Sequence, residues 1–306
     1  MQNPPKILII GAGAVGGFYG AKLSQAGAKV SIICRSDYDF IKEHGINIKS
    51  HWNQEDFHFK PQQVLQNIKD YKDEADFILI STKVLPTISI ADLIKPVLSK
   101  NSSIVLLQNG IHIENPVANS FPDHHLISII AFVCVSRIDL GKIHHQDYGR
   151  LVVGDFPSGT SQKTLNLVEL WNNSGVPCEA VSNIQTERWK KMIWNAPFNP
   201  ISVLAGGLDT KKILNNKATK NLVENVMQEI CILAKADGCE LPQDIAAKNI
   251  EMTLKMKPYK TSMLLDFEAK RPLEVEAILG NALRFAKEKS IDVPYLSSLY
   301  ELLSCY

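Results

Sequence analysis

The sequence lacks the cysteine and histidine patterns of a disulfide-bonded or metal-binding protein. Its six cysteines form no C-x-x-C pair, and their spacing fits neither a disulfide framework nor a zinc site. The adjacent pairs His124-His125 and His144-His145 are poor metal ligands, because neighbours on a helix or strand point apart. We therefore predict no metal site, and we expect reduced, mostly buried thiols in a cytoplasmic protein.

An excess of charge and a long apolar run are also missing. Lys plus Arg number 33 against 32 for Asp plus Glu, so no positive surplus is available to attract nucleic acid or a membrane. No apolar run approaches the roughly 20 residues of a membrane helix, and the N-terminus has no basic segment followed by an apolar core and cleavage site. We expect a soluble cytoplasmic protein with a small-molecule partner.

The 306 residues suffice for two domains, and two patterns divide them. Through the first half, β-branched strands alternate with helical segments, which predicts a parallel sheet with covering helices. Segments 126–135, 141–145 and 150–153 then read as consecutive strands, an antiparallel extension of that sheet. Helical periodicity dominates from about residue 186. We predict an α/β protein with a parallel-sheet domain at 1–182 and an all-helical domain at 183–306.

A glycine-rich turn follows the first predicted strand and precedes a helix. Its sequence is Gly11-Ala12-Gly13-Ala14-Val15-Gly16, which fits G-x-G-x-x-G. Gly11 would permit the tight turn, Gly13 would let the backbone approach a pyrophosphate, and Gly16 would let the helix pack against the sheet. The free N–H groups of the helix N-terminus would then face the phosphates. We predict that these six residues bind a dinucleotide, so that 1–182 is a Rossmann-type dinucleotide-binding domain and 183–306 is the helical substrate domain.

The end of the second strand indicates which dinucleotide is bound. The sequence there is Ile33-Cys34-Arg35-Ser36, and Arg35 can pair with a 2′-phosphate while Ser36 donates a hydrogen bond to it. NADPH is therefore the favoured cofactor. Asp37 is the nearest acidic residue, lies beyond the strand end, and keeps NAD open as the alternative.

Two further strand ends carry polar residues. Lys83 follows the strand near 77–81, and Gln108-Asn109-Gly110 follows the strand at 103–107. Ligands of open α/β sheets bind outside the carboxyl ends of the strands, so both are placed to meet cofactor or substrate. For Asn109-Gly110 an ordinary turn is the alternative.

The strongest candidate for the chemistry is a polar helix face at the start of the second domain. Lys191, Asn195 and Asn199 are spaced i, i+4, i+8, which places all three on one side of a helix. Such a face is too polar for a core and too weakly charged for a solvated surface. Lys190 is an alternative to Lys191, and only the register with the two asparagines selects Lys191. Pro197 is expected to kink this helix and thereby to threaten the position of Asn199.

The sequence resembles the ketopantoate reductase (2-dehydropantoate 2-reductase) family over nearly its whole length. The resemblance rests on the glycine motif, Arg35, Lys83, the 108–110 turn and the pattern Lys191-x-x-x-Asn195-x-x-x-Asn199-Pro200. It continues through Thr261-Ser262-Met263-Leu264-Leu265-Asp266 and ends with Glu274, 12 residues after Ser262, as in the family.

This resemblance implies the reduction of 2-dehydropantoate to pantoate by NADPH, the step before pantothenate assembly. Lys191 would be the general acid, with its pKa lowered by burial towards a useful range. Asn109, Asn195, Asn199, Ser262 and Glu274 would bind substrate, and Lys83, Asn109 and Glu274 would also contact the cofactor. For Ser262 a plain helix cap is the alternative, and for Glu274 a surface helix position.

Two other functions stay open from the sequence. One is the reduction of a different 2-keto acid, and the other is a non-catalytic sensor of NADPH, which would have no use for Lys191 and Glu274. The oligomeric state is also open, with a homodimer as one alternative, because an apolar helical face can bury itself against a second copy.

Overall fold

The computed structural model describes residues 3–51 and 56–306. The chain divides into two units. The first contains Met1–Lys83, Ile88–Gln108 and Glu114–Ile184, and the second contains Val84–Thr87, Asn109–Ile113 and Gln185–Tyr306. The sequence placed two consecutive domains at 1–182 and 183–306. It did not anticipate that two short segments from the first half of the chain belong to the second unit.

A single sheet organises the first unit. Its ten strands among the described residues are β1 Lys6–Ile10, β2 Lys29–Ile33, β3 Ile46–Ser50, β4 Phe57–Phe59, β5 Gln63–Leu65, β6 Phe77–Ile80, β7 Ser103–Leu107, β8 Leu126–Asp139, β9 Lys142–Asp155 and β10 Cys178–Ala180. The strand order is β4-β3-β9-β8-β7-β6-β1-β2-β5, and β10 pairs with β9.

Across the sheet, the six neighbouring strands β8, β7, β6, β1, β2 and β5 are parallel. Strands β8 and β9 form a long antiparallel hairpin. The alternation of β1 explains why both faces of the parallel part are covered. Ile7 and Ile9 belong to the apolar core on one face, while Leu8 and Ile10 belong to the core on the other. The predicted parallel sheet with an antiparallel extension is confirmed, although 141–145 and 150–153 form one strand rather than two.

Short helices connect these strands. They are α1 Ala14–Gln25, α2 Tyr38–His44, α3 Ile90–Ile94, α4 Asn115–Ser120 and α5 Gln162–Asn173. Helix α1 starts at the glycine-rich turn and packs on the same core as Ile7 and Ile9 through Phe18, Tyr19 and Leu23. The turn is therefore held between a buried strand and a buried helix.

The second unit is helical, as predicted. Its helices are α6 Ile184–Leu204, α7 Thr210–Asn215, α8 Lys217–Ala236, α9 Ile245–Lys255, α10 Ser262–Glu268, α11 Asn281–Glu288 and α12 Pro294–Leu303. A π-helical turn, Glu276–Gly280, leads directly into α11. Helix α6 runs unbroken through Pro197 and Pro200. These prolines lack the N–H groups that would bond the carbonyls of Ile193 and Ala196, yet neighbouring helices bury the helix on both sides of them.

Two further observations concern the described residues. None of their helices combines the length and the hydropathy that crossing a membrane requires. Within residues 3–51 and 56–306, no group of three or more His, Cys, Asp and Glu side chains is arranged to hold a metal ion.

Candidate active site

The glycine-rich turn of the first unit has the backbone geometry that its sequence predicts. Gly11 has φ +97°, and a Cβ there would lie 2.8 Å from the backbone nitrogen of Thr82. A Cβ on Gly16 would collide with Ser81 Oγ and lie 2.5 Å from the carbonyl oxygen of Gly11. Both positions therefore require glycine, one for its conformation and one for close packing of α1 on the strand ends.

Gly13 differs from these two glycines. A Cβ on Gly13 would meet no described atom within 4 Å, and the residue is solvent-exposed. It stands immediately before α1, whose first intrahelical bond is Gly17 N–H to Gly13 O at 2.8 Å. The N–H groups of Ala14, Val15 and Gly16 therefore have no carbonyl acceptor within the helix. The packing does not need a glycine at position 13, whereas an approaching phosphate would, so the turn fits a pyrophosphate.

The end of β2 lies against this turn. The carbonyl oxygen of Ile33 accepts hydrogen bonds from the N–H groups of Gly11 at 3.2 Å and Ala12 at 3.4 Å. Arg35 follows two residues later with an exposed side chain. Lys83, at the carboxyl end of β6, is half-buried, and Gln108 Nε2 donates to the carbonyl oxygen of Thr82 at 2.7 Å. The first unit thus brings the glycine turn and the end of β2 together, as predicted.

In the second unit, Lys191 contacts Asn109. Lys191 Nζ donates to Asn109 Oδ1 at 2.6 Å, across 82 residues of sequence. Lys190, the alternative, instead pairs with Glu187 on its own helix, with 2.5 Å between Nζ and Oε1. Asn109 belongs to the second unit although it immediately follows β7. The structure therefore joins two residues that the sequence selected independently.

The surroundings of Lys191 lower its pKa to about 8 from 10.5. Burial is the largest cause, since it disfavours the ammonium, and the neighbouring Arg188 guanidinium adds to the effect, while the Glu274 carboxylate opposes it. The predicted lowering of the lysine pKa is confirmed. A group with a pKa near 8 exchanges protons readily at neutral pH, as a general acid must.

Glu274 is tied to another short segment of the second unit. Its Oε1 accepts a hydrogen bond from the backbone N–H of Val84 at 2.9 Å, across 190 residues. Glu274 is half-buried and close enough to Lys191 to act on its pKa. It is therefore not an ordinary surface helix residue.

The π-helical turn after Glu274 holds the segment that carries Asn109. In this turn the N–H of Asn281 bonds to the carbonyl oxygen of Glu276, five residues back, so an α-helical bond to Ala277 is not made. The Ala277 carbonyl instead accepts from the N–H of Ile111 at 3.2 Å. Asn281 Nδ2 donates to the carbonyl oxygen of Ile111 at 2.7 Å. Ile111 is thus fixed at both backbone groups.

Close approach at Gly110 accompanies these bonds. Gly110 has φ +109°, and a Cβ there would lie 2.5 Å from the carbonyl oxygen of Ala277. Arg188, only 3% exposed, donates from Nη1 to the Gly110 carbonyl at 3.0 Å. The backbone on the carboxyl side of Asn109 is therefore held by α6 and by the π-helical turn.

A half-buried carboxylate, Asp237, fixes the far end of the same segment. Asp237 Oδ2 accepts from Trp189 Nε1 at 2.7 Å and lies 2.8 Å from His112 Nε2. These two contacts and the charge of His112 hold the pKa of Asp237 below its ordinary value, although burial alone would raise it. His112 has φ +55°, a costly conformation for a residue with a side chain. Asp237 therefore holds the side chain of His112 at this end of the segment.

The two asparagines of α6 have different surroundings. Asn195 is 7% exposed and lies one turn after Lys191 on the same side. Asn199 is 1% exposed, and both ends of its amide are engaged. Its Nδ2 donates to the carbonyl oxygen of Asn195 at 3.1 Å, and its Oδ1 accepts from the N–H of Met263 at 3.4 Å. Pro197 has not displaced Asn199 from the interior, but the amide links α6 to the start of α10.

Ser262 is the first residue of α10, and the cap is its neighbour. Thr261 is fully buried, and its Oγ1 accepts from the N–H of Leu264 at 3.1 Å. Ser262 is exposed. The helix-cap alternative proposed for Ser262 therefore applies to Thr261, and the Ser262 hydroxyl is not used by the cap.

Comparison with known proteins divides the chain into two consecutive parts, as the sequence does. A family model described as ketopantoate reductase PanE/ApbA matches residues 7–158, and its C-terminal counterpart matches residues 183–306. The chain belongs to the ketopantoate reductase family. It is therefore an oxidoreductase of a dinucleotide-dependent family, and the Rossmann-type domain followed by a helical domain is confirmed.

Relatives within the ketopantoate reductase family extend over the whole chain. A 2-dehydropantoate 2-reductase of Nostoc sp. is 33% identical over 99% of this chain and 95% of its own. The crystal structure of 2-dehydropantoate 2-reductase from Methylococcus capsulatus is 44% identical with a TM-score of 0.92, and covers 98% of this chain and 96% of its own. A D-mandelate dehydrogenase solved with NADH and anilino(oxo)acetate shares the fold at 22% identity, with a TM-score of 0.90 over 98% of this chain and 97% of its own.

Three residues that stabilise this family site were not predicted from the sequence. Arg188 lies three residues before Lys191 on α6, so its position on the same helix side was a usable signal. Asp237 and Asn281 gave no such signal, because their partners, His112 and Ile111, lie 125 and 170 residues away.

Proposed function

We propose that this protein reduces 2-dehydropantoate to pantoate with NADPH, in the cytoplasm, in pantothenate biosynthesis. The observation that supports it most is the contact of 2.6 Å between Lys191 Nζ and Asn109 Oδ1, combined with a lysine pKa of about 8. A half-buried lysine oriented by an amide and poised near neutral pH is suited to giving up a proton in the reaction.

The proton in this reaction comes from Lys191. Bound NADPH supplies the hydride to the carbonyl carbon of the keto acid. Lys191 gives its proton to the carbonyl oxygen, so the C=O bond becomes a C–O single bond, one new C–H and one new O–H bond form, and the lysine is left neutral. Before transfer, the ammonium stabilises the negative charge that develops on that oxygen. Asn109 Oδ1 accepts from Nζ and thereby orients it.

The remaining substrate contacts are assigned by the chemistry of the side chains. Ser262 is exposed at the first turn of α10, where a hydroxyl and the helix N-terminus both suit a carboxylate. Asn195, one turn from Lys191, offers an amide to a substrate hydroxyl. Glu274 opposes the lowering of the Lys191 pKa, so it keeps part of the lysine protonated for the reaction.

NADPH is the proposed cofactor because of the residues beside the glycine turn. Gly11, Gly13 and Gly16 fit the pyrophosphate, and Arg35 offers an exposed guanidinium at the end of β2. Among the described residues, its side chain makes no hydrogen bond or ion pair that would have to be broken. A free guanidinium of this kind suits a bidentate contact with a 2′-phosphate.

One observation favours a second candidate, a reductase of another 2-keto acid. The substrate hydroxyl was assigned to Asn195 and Asn199, but the Asn199 amide already bonds Asn195 and Met263. Only one of the two amides is then available for a hydroxyl, so a keto acid without that hydroxyl is the alternative substrate. A homodimer remains a separate prediction and does not affect either reaction.

A spectrophotometric assay separates these candidates. Oxidation of NADPH is followed with 2-dehydropantoate and with 2-ketoisovalerate, which lacks the hydroxyl, and both are repeated with NADH. The proposal expects kcat/KM to be at least about tenfold higher for 2-dehydropantoate, since one buried polar contact discriminates by that order. Equal rates with the two acids would contradict the pantothenate assignment and support the second candidate.

A further inference from the structure

The first acidic residue after the glycine turn and β2 in the sequence, Asp37, is already bound within the protein. Asp37 follows Arg35 by two residues and is only 3% exposed. Its Oδ1 accepts from Arg137 Nη1 at 2.5 Å and from Ser36 Oγ at 2.7 Å, and its Oδ2 accepts from the N–H of Gly141 at 3.2 Å. The carboxylate therefore has a cation and two neutral donors as partners.

The partners of Asp37 come from the end of the β8–β9 hairpin. Arg137 lies near the end of β8, Gly141 is in the turn before β9, and both are about a hundred residues from Asp37 in sequence. The same Arg137 Nη1 also contacts Ser36 Oγ at 2.8 Å. The hairpin end thus binds both residues that follow Arg35.

This group of residues lies next to the glycine turn. The β2 carbonyl of Ile33 accepts from Gly11 and Ala12, and only Cys34 and Arg35 separate it from Ser36. In Rossmann-type sites an acidic residue at this place accepts the ribose hydroxyls of NAD, and it would repel the 2′-phosphate of NADP. A carboxylate paired with a guanidinium does neither well, because its charge is neutralised and its oxygens are already bonded.

We propose that Arg137 determines cofactor preference by holding Asp37 away from the ribose and cancelling its charge. This inference rests on the proposed use of NADPH and adds a residue that selects it. Arg137 acts through Asp37 and is a positioning residue, while Arg35 is left as the cation that meets the phosphate. The Arg137 side chain is 36% exposed, so its substitution changes the end of the β8–β9 hairpin without creating a cavity in the core.

The test compares binding of NADPH and NADH to the full-length protein by quenching of its tryptophan fluorescence. In R137Q the Asp37 carboxylate loses its cation, and one uncompensated charge near a phosphate dianion weakens NADPH by about tenfold. NADH binding stays unchanged or tightens, so the ratio of the two dissociation constants shifts by tenfold or more. R137K keeps a cation and is expected to stay within about threefold of the natural ratio.

Two further variants show whether the effect passes through Asp37. In the double variant R137Q/D37N no charge is left to repel the phosphate, and NADPH affinity returns to within about threefold of the starting protein. R150Q is the matched control, since Arg150 is on β9 opposite Phe132 and pairs with Glu179 at 2.7 Å. Its loss is expected to leave the ratio unchanged.

The outcomes separate this inference from the proposed function. An unchanged ratio in R137Q, a parallel loss of both cofactors, or a double variant as weak as R137Q would each overturn the role of Arg137. If R137Q does not fold, R137K provides the test. A shift of more than about threefold in favour of NADPH binding over NADH binding in R137K would also overturn the role of Arg137. Tighter binding of NADH than of NADPH by the unmodified protein would instead contradict the proposed cofactor.

Discussion

The glycine turn of the first unit and the lysine cluster of the second, formed by Lys191, Asn109 and Glu274, are built by different means. The turn uses backbone groups of six consecutive residues, placed by β1 and α1. The cluster uses side chains from three distant segments. Asn109 and Lys191 are 82 residues apart, and the backbone N–H of Val84 that binds Glu274 is 190 residues from it. The glycine turn is therefore built from residues that are adjacent in the sequence, whereas the lysine cluster forms only when distant segments pack together.

The two regions also differ in what they do to stability. The conformation of the turn suits glycine, so it needs little compensation. The lysine cluster holds an ammonium in a partly dehydrated place beside a guanidinium, which the lowered pKa of Lys191 records. A region with such a charge is expected to gain stability when the charge is removed and to lose activity at the same time.

The largest expected effect is that of Lys191→Ala. Loss of the proton donor and of its charge is expected to lower kcat by two to four orders of magnitude. The dissociation constant for NADPH, measured by fluorescence, should change by less than about threefold, because the glycine turn is untouched. Lys190→Ala is the matched control, since Lys190 pairs only with Glu187 among the contacts described. Substantial activity in K191A would contradict the proposed mechanism.

Gly13→Ala tests the other half of the comparison. A methyl group there meets no described atom within 4 Å, so the melting temperature should stay nearly constant. The same methyl group would stand where a pyrophosphate approaches, so NADPH should bind at least about tenfold more weakly. Gly16→Ala is the contrast, because its Cβ collides with Ser81 and is expected to destabilise folding itself. Unaltered NADPH affinity in G13A would contradict binding of the pyrophosphate at this turn.

The pH dependence of the reaction sharpens the account of Lys191. The acid must be protonated, so kcat/KM for reduction is expected to be level below about pH 8 and to fall tenfold per pH unit above it, given the pKa of about 8. The reverse oxidation needs the neutral lysine and should rise up to the same pH. In Arg188→Gln the loss of a neighbouring cation is expected to move this fall about one pH unit higher. Arg188→Lys keeps the charge and is the control.

Protein stability should respond to the same group with a definite sign. The unfolded chain holds the Lys191 proton up to pH 10.5, whereas the folded chain releases it near 8. The unfolded state therefore binds more protons between these values, and stability rises with pH across that interval. Relative to K191A, the unmodified protein should gain free energy of unfolding between about pH 8 and 10.5, as measured by denaturant titration. The opposite slope would mean that the lysine is not held in a charge-disfavouring place.

Much of this arrangement was predictable because it depends on local order. The β-branched strand Lys6–Ile10 and the glycines after it define the turn, and the four-residue spacing of Lys191 and Asn195 places them on one side of α6. The helix cap was harder, because Thr261 and Ser262 are adjacent and both are good caps. Which hydroxyl turns inward depends on the neighbour, Ser202, whose Oγ lies 2.7 Å from that of Thr261.

The π-helical turn shows why the rest was not predictable. Val275 and Leu279 have the spacing of an ordinary apolar helix face, and a single extra residue per turn leaves that pattern intact over so short a length. The turn becomes visible only in the bond from Asn281 to Glu276 and in the carbonyl of Ala277 that it frees for Ile111. The consequence for Asn109 follows from that bond and not from periodicity.

The sequence by itself determined the two-domain α/β fold, the glycine turn and the side of α6 on which Lys191 lies, and its motifs carried the resemblance to the family. The fold, the turn and the helix side depend on strand alternation, helical spacing and the conformational freedom of glycine, which are properties of neighbours in the chain. Only the tertiary structure decided that Asn109 belongs to the second unit, that the Asn199 amide bonds Asn195 and Met263, and that Arg137 pairs with Asp37. Hydrogen bonds and ion pairs require a short distance in space. For residues about a hundred positions apart in the sequence, that distance is set by the packing of the core and not by local sequence.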